Sequence, residues 1–254
     1  MKIRAIALNT FKEAIRDRIL YLLLFFAAVC LLMSRVLALL TVGDPLKIIR
    51  DVGLSAISLF GMLMAILIGT GLVYKEIDKR TIYTLLSKPI HRFQFILGKY
   101  LGLIFTLFIM LALMGIIFLA VIYFYAFQIE WRMFLAMGFL FLELCLITSV
   151  AILFSCFSTP ILSSIFSLSF YLIGHLSWGL GTLIKKMPSG GTRVLAQGLY
   201  TFLPDLENFN FKTEIIHHLP IPAKLLFFSS FYGIFYTLFV LALAVLIFRK
   251  RDFI

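Results

Sequence analysis

Charged residues are scarce in this sequence, and their scarcity decides the class of protein. Only 14% of the 254 residues are charged, whereas 62% are hydrophobic. A soluble domain carries about a quarter charged residues, so this composition excludes an ordinary water-soluble protein. Together with a mean hydropathy of +1.07, it predicts an all-α integral membrane protein.

Cysteine and the common catalytic motifs are also rare or missing. The three cysteines lie in apolar runs and form neither a disulfide framework nor a metal-binding spacing. The phosphate-binding pattern G-x-x-x-x-G-K-[ST] is absent, as are G-x-S-x-G and H-E-x-x-H. The one cluster that resembles a metal site, Glu214-Ile-Ile-His217-His218, lacks the order that places two histidines on one helical face. We therefore predict no catalytic residue, metal or cofactor in this chain.

Long apolar runs are abundant by contrast. Six are long enough to cross a membrane, which takes about 20 residues. They cover residues 19–40, 53–74, 98–127, 133–157, 160–184 and 223–248. We predict six transmembrane helices in a single domain over residues 1–254.

The residues before the first run predict an amphipathic helix over 2–19 that lies in the membrane interface. Its apolar side comprises Ile3, Ala7, Leu8, Phe11, Ala14, Ile15 and Ile19. The alternative is a charged tail that only tethers the first span.

Basic residues predict the orientation. Of the 23 lysines and arginines, 14 lie in the N-terminal stretch, at 75–99 and at 249–251. Because such residues collect on the cytoplasmic side, we place both termini there. The net charge of +11 then needs no nucleic-acid partner, since anionic membrane lipid attracts basic residues. The loop at 185–222 is external, as a cap over the outer mouth.

The segment at 76–97 between the second and third spans is longer than a connection requires. Its charged flanks and apolar centre suit the docking of a soluble partner. A loop that only fixes the topology remains the alternative.

Several residues of this segment carry a family resemblance: Glu76, Arg80-Thr81, Leu85, Pro89, Arg92 and Gly98-Lys99. With the order of the spans and the run at 203–209, they resemble the ABC-2 type permeases of ATP-binding-cassette transporters, above all the stand-alone bacterial membrane subunits. The resemblance implies an exporter subunit in the bacterial inner (plasma) membrane, and a coupling helix within 76–97. It also implies a separate ATPase subunit that binds ATP and Mg, and a second permease chain in a homo- or heterodimer. The coupling contacts would come from Glu76, Arg80, Thr81, Leu85, Leu86, Pro89, Arg92 and Phe93.

Two other functions remain open at this point. A membrane scaffold would use the same docking segment and transport nothing. An intramembrane enzyme would need a nucleophile and base at one depth, which the sequence does not display.

A few polar residues inside the spans are candidate site residues. Glu143 and His175 are equally far from the turn at Thr159, so a hairpin would bring them together. Their contact would either hold the hairpin or touch the substrate. Ser164, Ser167 and Tyr171 share one face with His175 and Trp178, which suits a substrate route or helix packing. Gly61, Ala65 and Gly69 have the small-residue spacing of a packing stripe, within the subunit or across a dimer.

Overall fold

The structure, a computed structural model, describes residues 2–40, 44–78, 91–127, 130–177, 184, 193, 197 and 204–250. These residues form eight α-helices and one 3₁₀ turn at Leu206–Phe209, and no strand occurs among them. The helices are α1 (Lys2–Ile15), α2 (Arg18–Leu39), α3 (Pro45–Asp78), α4 (Arg92–Ala126), α5 (Trp131–Ser155), α6 (Pro160–His175), α7 (Lys212–Ile216) and α8 (Ala223–Lys250).

Five of these helices are long and apolar enough to cross a membrane, namely α2, α3, α4, α5 and α8. This confirms the predicted all-helical membrane protein. The helix that starts at Pro160 is shorter, with 16 residues, and ends at His175 rather than at 184. At this end the side chains of His175 and Ser177 contact Glu207 and Asp205, and residues 178–183 of the predicted run lie outside the described residues.

The centre of the bundle is α5, which contacts α3, α4, α6 and α8. Thr148, Ser149 and Ser155 are fully buried in it. Each hydroxyl donates to a carbonyl oxygen of the preceding turn, at 2.7, 2.6 and 2.7 Å. Because these hydroxyls are satisfied within the helix, they can be buried in an apolar bundle at little cost.

The small-residue stripe of α3 packs against α5. A Cβ atom on Gly61 would lie 2.9 Å from the Leu144 side chain, and one on Gly69 would lie 3.1 Å from Ala151. Ala65, between the two glycines, is buried. The stripe therefore brings two helices of the same chain together, as small residues do in membrane bundles.

The N-terminal helix α1 packs across the first turns of α4. A Cβ atom on Gly102 would lie only 2.5 Å from the carbonyl oxygen of Ala7, so glycine is needed for this close approach. The buried residues of α1 are Thr10 and Ala14, whereas Leu8, assigned above to the apolar side, is 57% exposed. The face of α1 that is buried is therefore the one that contacts α4, and it differs in part from the apolar side predicted from the sequence.

The helices give the bundle two distinct ends. One end carries Arg92 and Arg249 beside the first turns of α4, and we call it the basic end. At the opposite end residues 204–219 contact the starts of α5 and α8, and we call it the loop end.

Candidate functional site

A carboxylate, an imidazole and a second carboxylate lie in line between the middle of the bundle and the loop end. Glu143, at the centre of α5, is 2% exposed. Its Oε1 lies 2.8 Å from Nε2 of His175, the last residue of α6. The other ring nitrogen, Nδ1, lies 3.3 Å from Oε2 of Glu207, whose side chain is 44% exposed. We call these three residues the polar triad.

The hydrogen bonds within the polar triad depend on which of its nitrogen and oxygen atoms carry protons. A protonated imidazole donates from both nitrogens and satisfies both carboxylates. A neutral imidazole donates from one nitrogen only, so the other contact then requires a protonated carboxyl group. Pairing of this kind is what allows an ionised residue to remain at the depth of Glu143.

Lys212 adds a cation beside the polar triad. Burial lowers the pKa of its amine, while the carboxylates of Glu143, Asp51 and Glu207 oppose the shift. The carboxylates that act on this amine come from α3, α5 and the turn before α7. The loop end thus contains a concentrated set of charges of both signs.

Residues 204–216 hold this set in place by filling the bundle beyond the end of α6. Leu206, Phe209 and Phe211 are buried, and the Phe211 ring lies 4.6 Å from that of Phe139 on α5. Asp205 anchors the segment. Its Oδ1 accepts from Ser177 Oγ at 2.6 Å, and its backbone N–H donates to the Tyr232 hydroxyl at 3.0 Å. We call residues 204–216 the plug.

A second ion cluster binds the residues that follow the plug, His218 and Leu219. The guanidinium of Arg50, 4% exposed, pairs with Oε1 of Glu130, and its Nη1 donates to Nε2 of His218 at 3.2 Å. Arg132 donates to the carbonyl oxygen of Leu219 at 3.2 Å. Sequence reasoning missed this cluster because it began the second span at 53 and left Arg50 in a loop. The only feature of the sequence that could have indicated this cluster is that two residues of opposite charge, Arg50 and Glu130, each lie next to an apolar run.

The predicted polar face of α6 meets α3. Ser164 Oγ lies 2.9 Å from Thr70 Oγ1, and the Tyr171 hydroxyl lies 3.5 Å from Ser58 Oγ. Ser167 is buried and donates to the carbonyl oxygen of Ser163 at 2.7 Å. The described hydroxyls thus contact α3 or their own helix, and Trp178 lies outside the described residues.

The predicted coupling residues are only partly described. Arg80, Thr81, Leu85, Leu86 and Pro89 lie outside the described residues, and of Glu76 the structure describes the backbone alone. Phe93 is 43% exposed at the start of α4.

Arg92 is directed at α8. Its Nη1 donates to the carbonyl oxygens of Phe248 at 3.1 Å and Arg249 at 2.6 Å. These bonds satisfy carbonyls that the end of a helix leaves without partners, and they join the start of α4 to the end of α8.

Lys99 is a charged residue that the predictions did not place in the core. It is 1% exposed where α1 crosses α4, and its Nζ lies 3.5 Å from Oε2 of Glu13. The pairing with an acidic residue of α1 accounts for a lysine inside an apolar run, since an unpaired buried cation would be costly.

No group of three or more His, Cys, Asp or Glu side chains suited to a metal ion occurs among the described residues. In the sequence cluster that resembles a metal site, His218 instead faces Arg50 and Glu130. The chemistry that these polar groups support is ion pairing and proton exchange.

Comparison with known proteins identifies the family. The profile described as ABC-2 family transporter protein matches residues 4–253. No curated protein matches the chain. ABC-2 permeases are the membrane components of transporters, and ATP hydrolysis takes place on a separate ATPase subunit. The match spans nearly the whole chain, which belongs to the ABC-2 family of transporter membrane proteins.

Proposed function

We propose that this chain is the permease subunit of a bacterial exporter, with the basic end facing the cytoplasm and residues 76–97 docking onto an ATPase subunit. Two such permease chains, identical or related, would form the transport path in the plasma membrane. ATP and Mg would be bound by the partner ATPase.

The observation that carries the docking proposal is the length of α3. The Oγ of Ser155, the last residue of α5, lies 3.5 Å from the carbonyl oxygen of Thr70. Beyond Thr70, α3 continues to Asp78, which is about 12 Å further at 1.5 Å per residue. The residues that follow Asp78 therefore start outside the level at which α5 ends, on the side that we assign to the cytoplasm.

The path of the chain supports six crossings. The helix α5 ends at the basic end, and α8 starts at the loop end, where Asp205 contacts Tyr232. We infer that the chain passes from the basic end to the loop end between 155 and 223. The helix α6, about 24 Å long, provides most of that passage, and we propose that it forms the fifth of six crossings.

The contacts of α3 and α4 suggest how motion at the docking segment reaches the loop end. The helix α3 contacts α6 through Thr70 and Ser58, and α6 ends in His175 of the polar triad. Arg92 joins α4 to α8, which holds Asp205 of the plug through Tyr232. We propose that ATP-driven movement of the docking segment separates α6 and α8 from the plug and opens the loop end for release of substrate.

The first experiment is affinity purification in mild detergent with the tagged chain and its co-expressed ATPase. Residues 79–90 are replaced by a Gly/Ser linker of equal length, which leaves Arg92 in place. A control chain carries the same replacement at 185–196. We expect the ATPase to accompany the native and control chains and to be lost from the 79–90 variant. Retention of the ATPase by that variant would refute the docking role, and absence of an ATPase from the intact chain would favour a scaffold.

A further inference from the structure

A cavity of about 560 Å³ opens at the basic end between the start of α4 and the end of α8. Its described lining residues are His91, Arg92, Phe93, Val245 and Arg249. Its size lies within the range of about 300–1,000 Å³ that is typical of small-molecule sites. The polar triad and the plug lie at the opposite end of the bundle, so this cavity is a separate feature.

The lining combines cationic and apolar groups. Arg92 and Arg249 are permanently charged, His91 adds two ring nitrogens, and none of the described lining residues is acidic. Phe93 and Val245 supply the apolar part. Two guanidinium groups suit a phosphate, which arginine binds through paired hydrogen bonds.

The position of the cavity is fixed by helices that surround it. Arg92 donates to the carbonyls of Phe248 and Arg249, and the rings of Phe95 and Phe248 stack at 5.5 Å. These contacts hold α4 and α8 side by side. The packing of the two helices therefore keeps Arg92 and Arg249 near each other.

The depth of the cavity follows from the register of α4 on α5. The rings of Phe108 and Phe141 meet edge to face, with centroids 5.6 Å apart, and a Cβ atom on Gly115 would lie 3.0 Å from the sulfur of Met137. Continuing this antiparallel register places Arg92 level with the turn that follows Ser155, where the apolar helix α5 ends. Arg249 lies at the same level, at the end of the apolar part of α8. The cavity is therefore at the boundary between hydrocarbon and water, where lipid phosphates lie.

We propose that this cavity binds the phosphate headgroup of an anionic phospholipid, with its acyl chain against Phe93 and Val245. The site lies in the leaflet at the basic end. The identification of this leaflet as the cytoplasmic one rests on the proposed orientation. A phospholipid fits this site better than an acidic side chain of a protein partner would. The arginines lie next to an apolar wall at membrane depth, and only the lipid has an acyl chain to contact that wall.

The test uses the purified full-length chain without any ATPase, so that its result is independent of the docking proposal. Native mass spectrometry measures retention of phosphatidylglycerol and of zwitterionic phosphatidylcholine. Arg249→Gln removes one cation from the cavity, and Lys224→Gln makes the same change at the exposed loop end of α8. We expect Arg249→Gln to weaken phosphatidylglycerol retention about tenfold, the effect of one charged hydrogen bond, and Lys224→Gln to leave it unchanged.

A second pair of variants distinguishes lipid binding inside the cavity from lipid binding to a positively charged surface. Val245→Phe narrows the cavity and keeps both arginines, whereas Leu246→Phe adds the same ring at the neighbouring position, which is 55% exposed. We expect lower phosphatidylglycerol retention only for Val245→Phe. Equal retention by all four variants, or equal loss in Lys224→Gln and Arg249→Gln, would overturn the proposal.

Two further arms identify the occupant. Excess glycerol 3-phosphate should not displace phosphatidylglycerol if the acyl chain contributes, and complete displacement would assign the cavity to a free phosphate ester instead. If Arg249→Gln retains phosphatidylglycerol but loses a co-expressed ATPase, the cavity is a protein contact and the lipid assignment is wrong.

Discussion

Nε2 of His175 and Oε1 of Glu143 lie 2.8 Å apart, which fastens the end of α6 to the centre of α5. The two helices lie side by side and run antiparallel from the turn at Thr159, and this contact closes the hairpin that they form. On its other side the same imidazole contacts Glu207 of the plug. One side chain therefore links the hairpin to the segment that covers the loop end.

We expect the Glu143–His175 contact to contribute a coupling free energy of about 1 kcal/mol or more, because Glu143 is buried and its partner satisfies it. The measurement is a double-mutant cycle of Glu143→Gln and His175→Ala, with unfolding followed in mixed detergent micelles. Ser149→Ala with His175→Ala is a suitable comparison, since the Ser149 hydroxyl donates to the carbonyl oxygen of Leu146 rather than to the polar triad. Additive effects of Glu143→Gln and His175→Ala would show that the contact is not energetically important.

Gly102→Ala should lower the free energy of unfolding by about 1–3 kcal/mol, the usual cost of overpacking. The added Cβ would meet the backbone of α1 at Ala7, which cannot move aside as a flexible side chain would. Gly138→Ala is the matched control, because nothing lies within 4 Å of a Cβ there. It should be neutral or stabilising by up to about 1 kcal/mol. Equal effects of the two changes would contradict the close contact between α1 and α4.

Arg80→Glu should uncouple ATP hydrolysis from movement at the loop end while the chain still inserts into the membrane. The readout is the labelling rate of His217→Cys, an exposed position next to the plug, by a membrane-impermeant maleimide with and without ATP. We expect ATP to change the rate in the parent complex and not in the Arg80→Glu complex. Lys47→Glu makes the same charge change at the loop end and should leave the response to ATP intact. An unaltered response in Arg80→Glu would count against its place in the docking contact.

The stability of the chain should rise with pH in the range just below 10.5 because of Lys212. Burial lowers the pKa of this amine below its ordinary value of 10.5. Between the lowered and the ordinary pKa the unfolded chain holds more protons at this group, so stability linked to it increases as pH increases. Lys212→Met should remove this part of the slope, whereas Lys47→Met, at an exposed lysine, should preserve it. Identical slopes in the parent and Lys212→Met would refute the effect of burial.

The sequence predicted the parts of this fold that depend on the length of apolar runs. Five of the apolar runs correspond to helices that can cross a membrane. For each of them, at least one end of the run lies within a few residues of an end of the helix. Because Glu143 and His175 are equally far from Thr159 in sequence, an antiparallel hairpin places them at the same depth, where their side chains are in contact. These features follow from helix rise and hydropathy alone, which is why they could be read from the sequence.

Features that depend on distant partners could not be read in this way. Arg50 can be buried in α3 because its charge pairs with Glu130, 80 residues later. Lys99 is buried because Glu13 approaches it from α1, a contact that no local pattern reveals. The sequence predicted the plug only as part of an external cap, because its burial depends on contacts with Phe139 and Tyr232 on distant helices.

The bond between Arg92 and the end of α8 has a consequence for biogenesis. Its two partners are 156 and 157 residues apart in sequence, so the contact cannot form until residue 249 has left the ribosome. Until then the start of α4 lacks the neighbour that the finished bundle provides. The pairing of α4 with α8 is therefore late relative to the contacts between α1 and α4, and a chain that stops before residue 248 lacks both of the carbonyl groups that Arg92 binds.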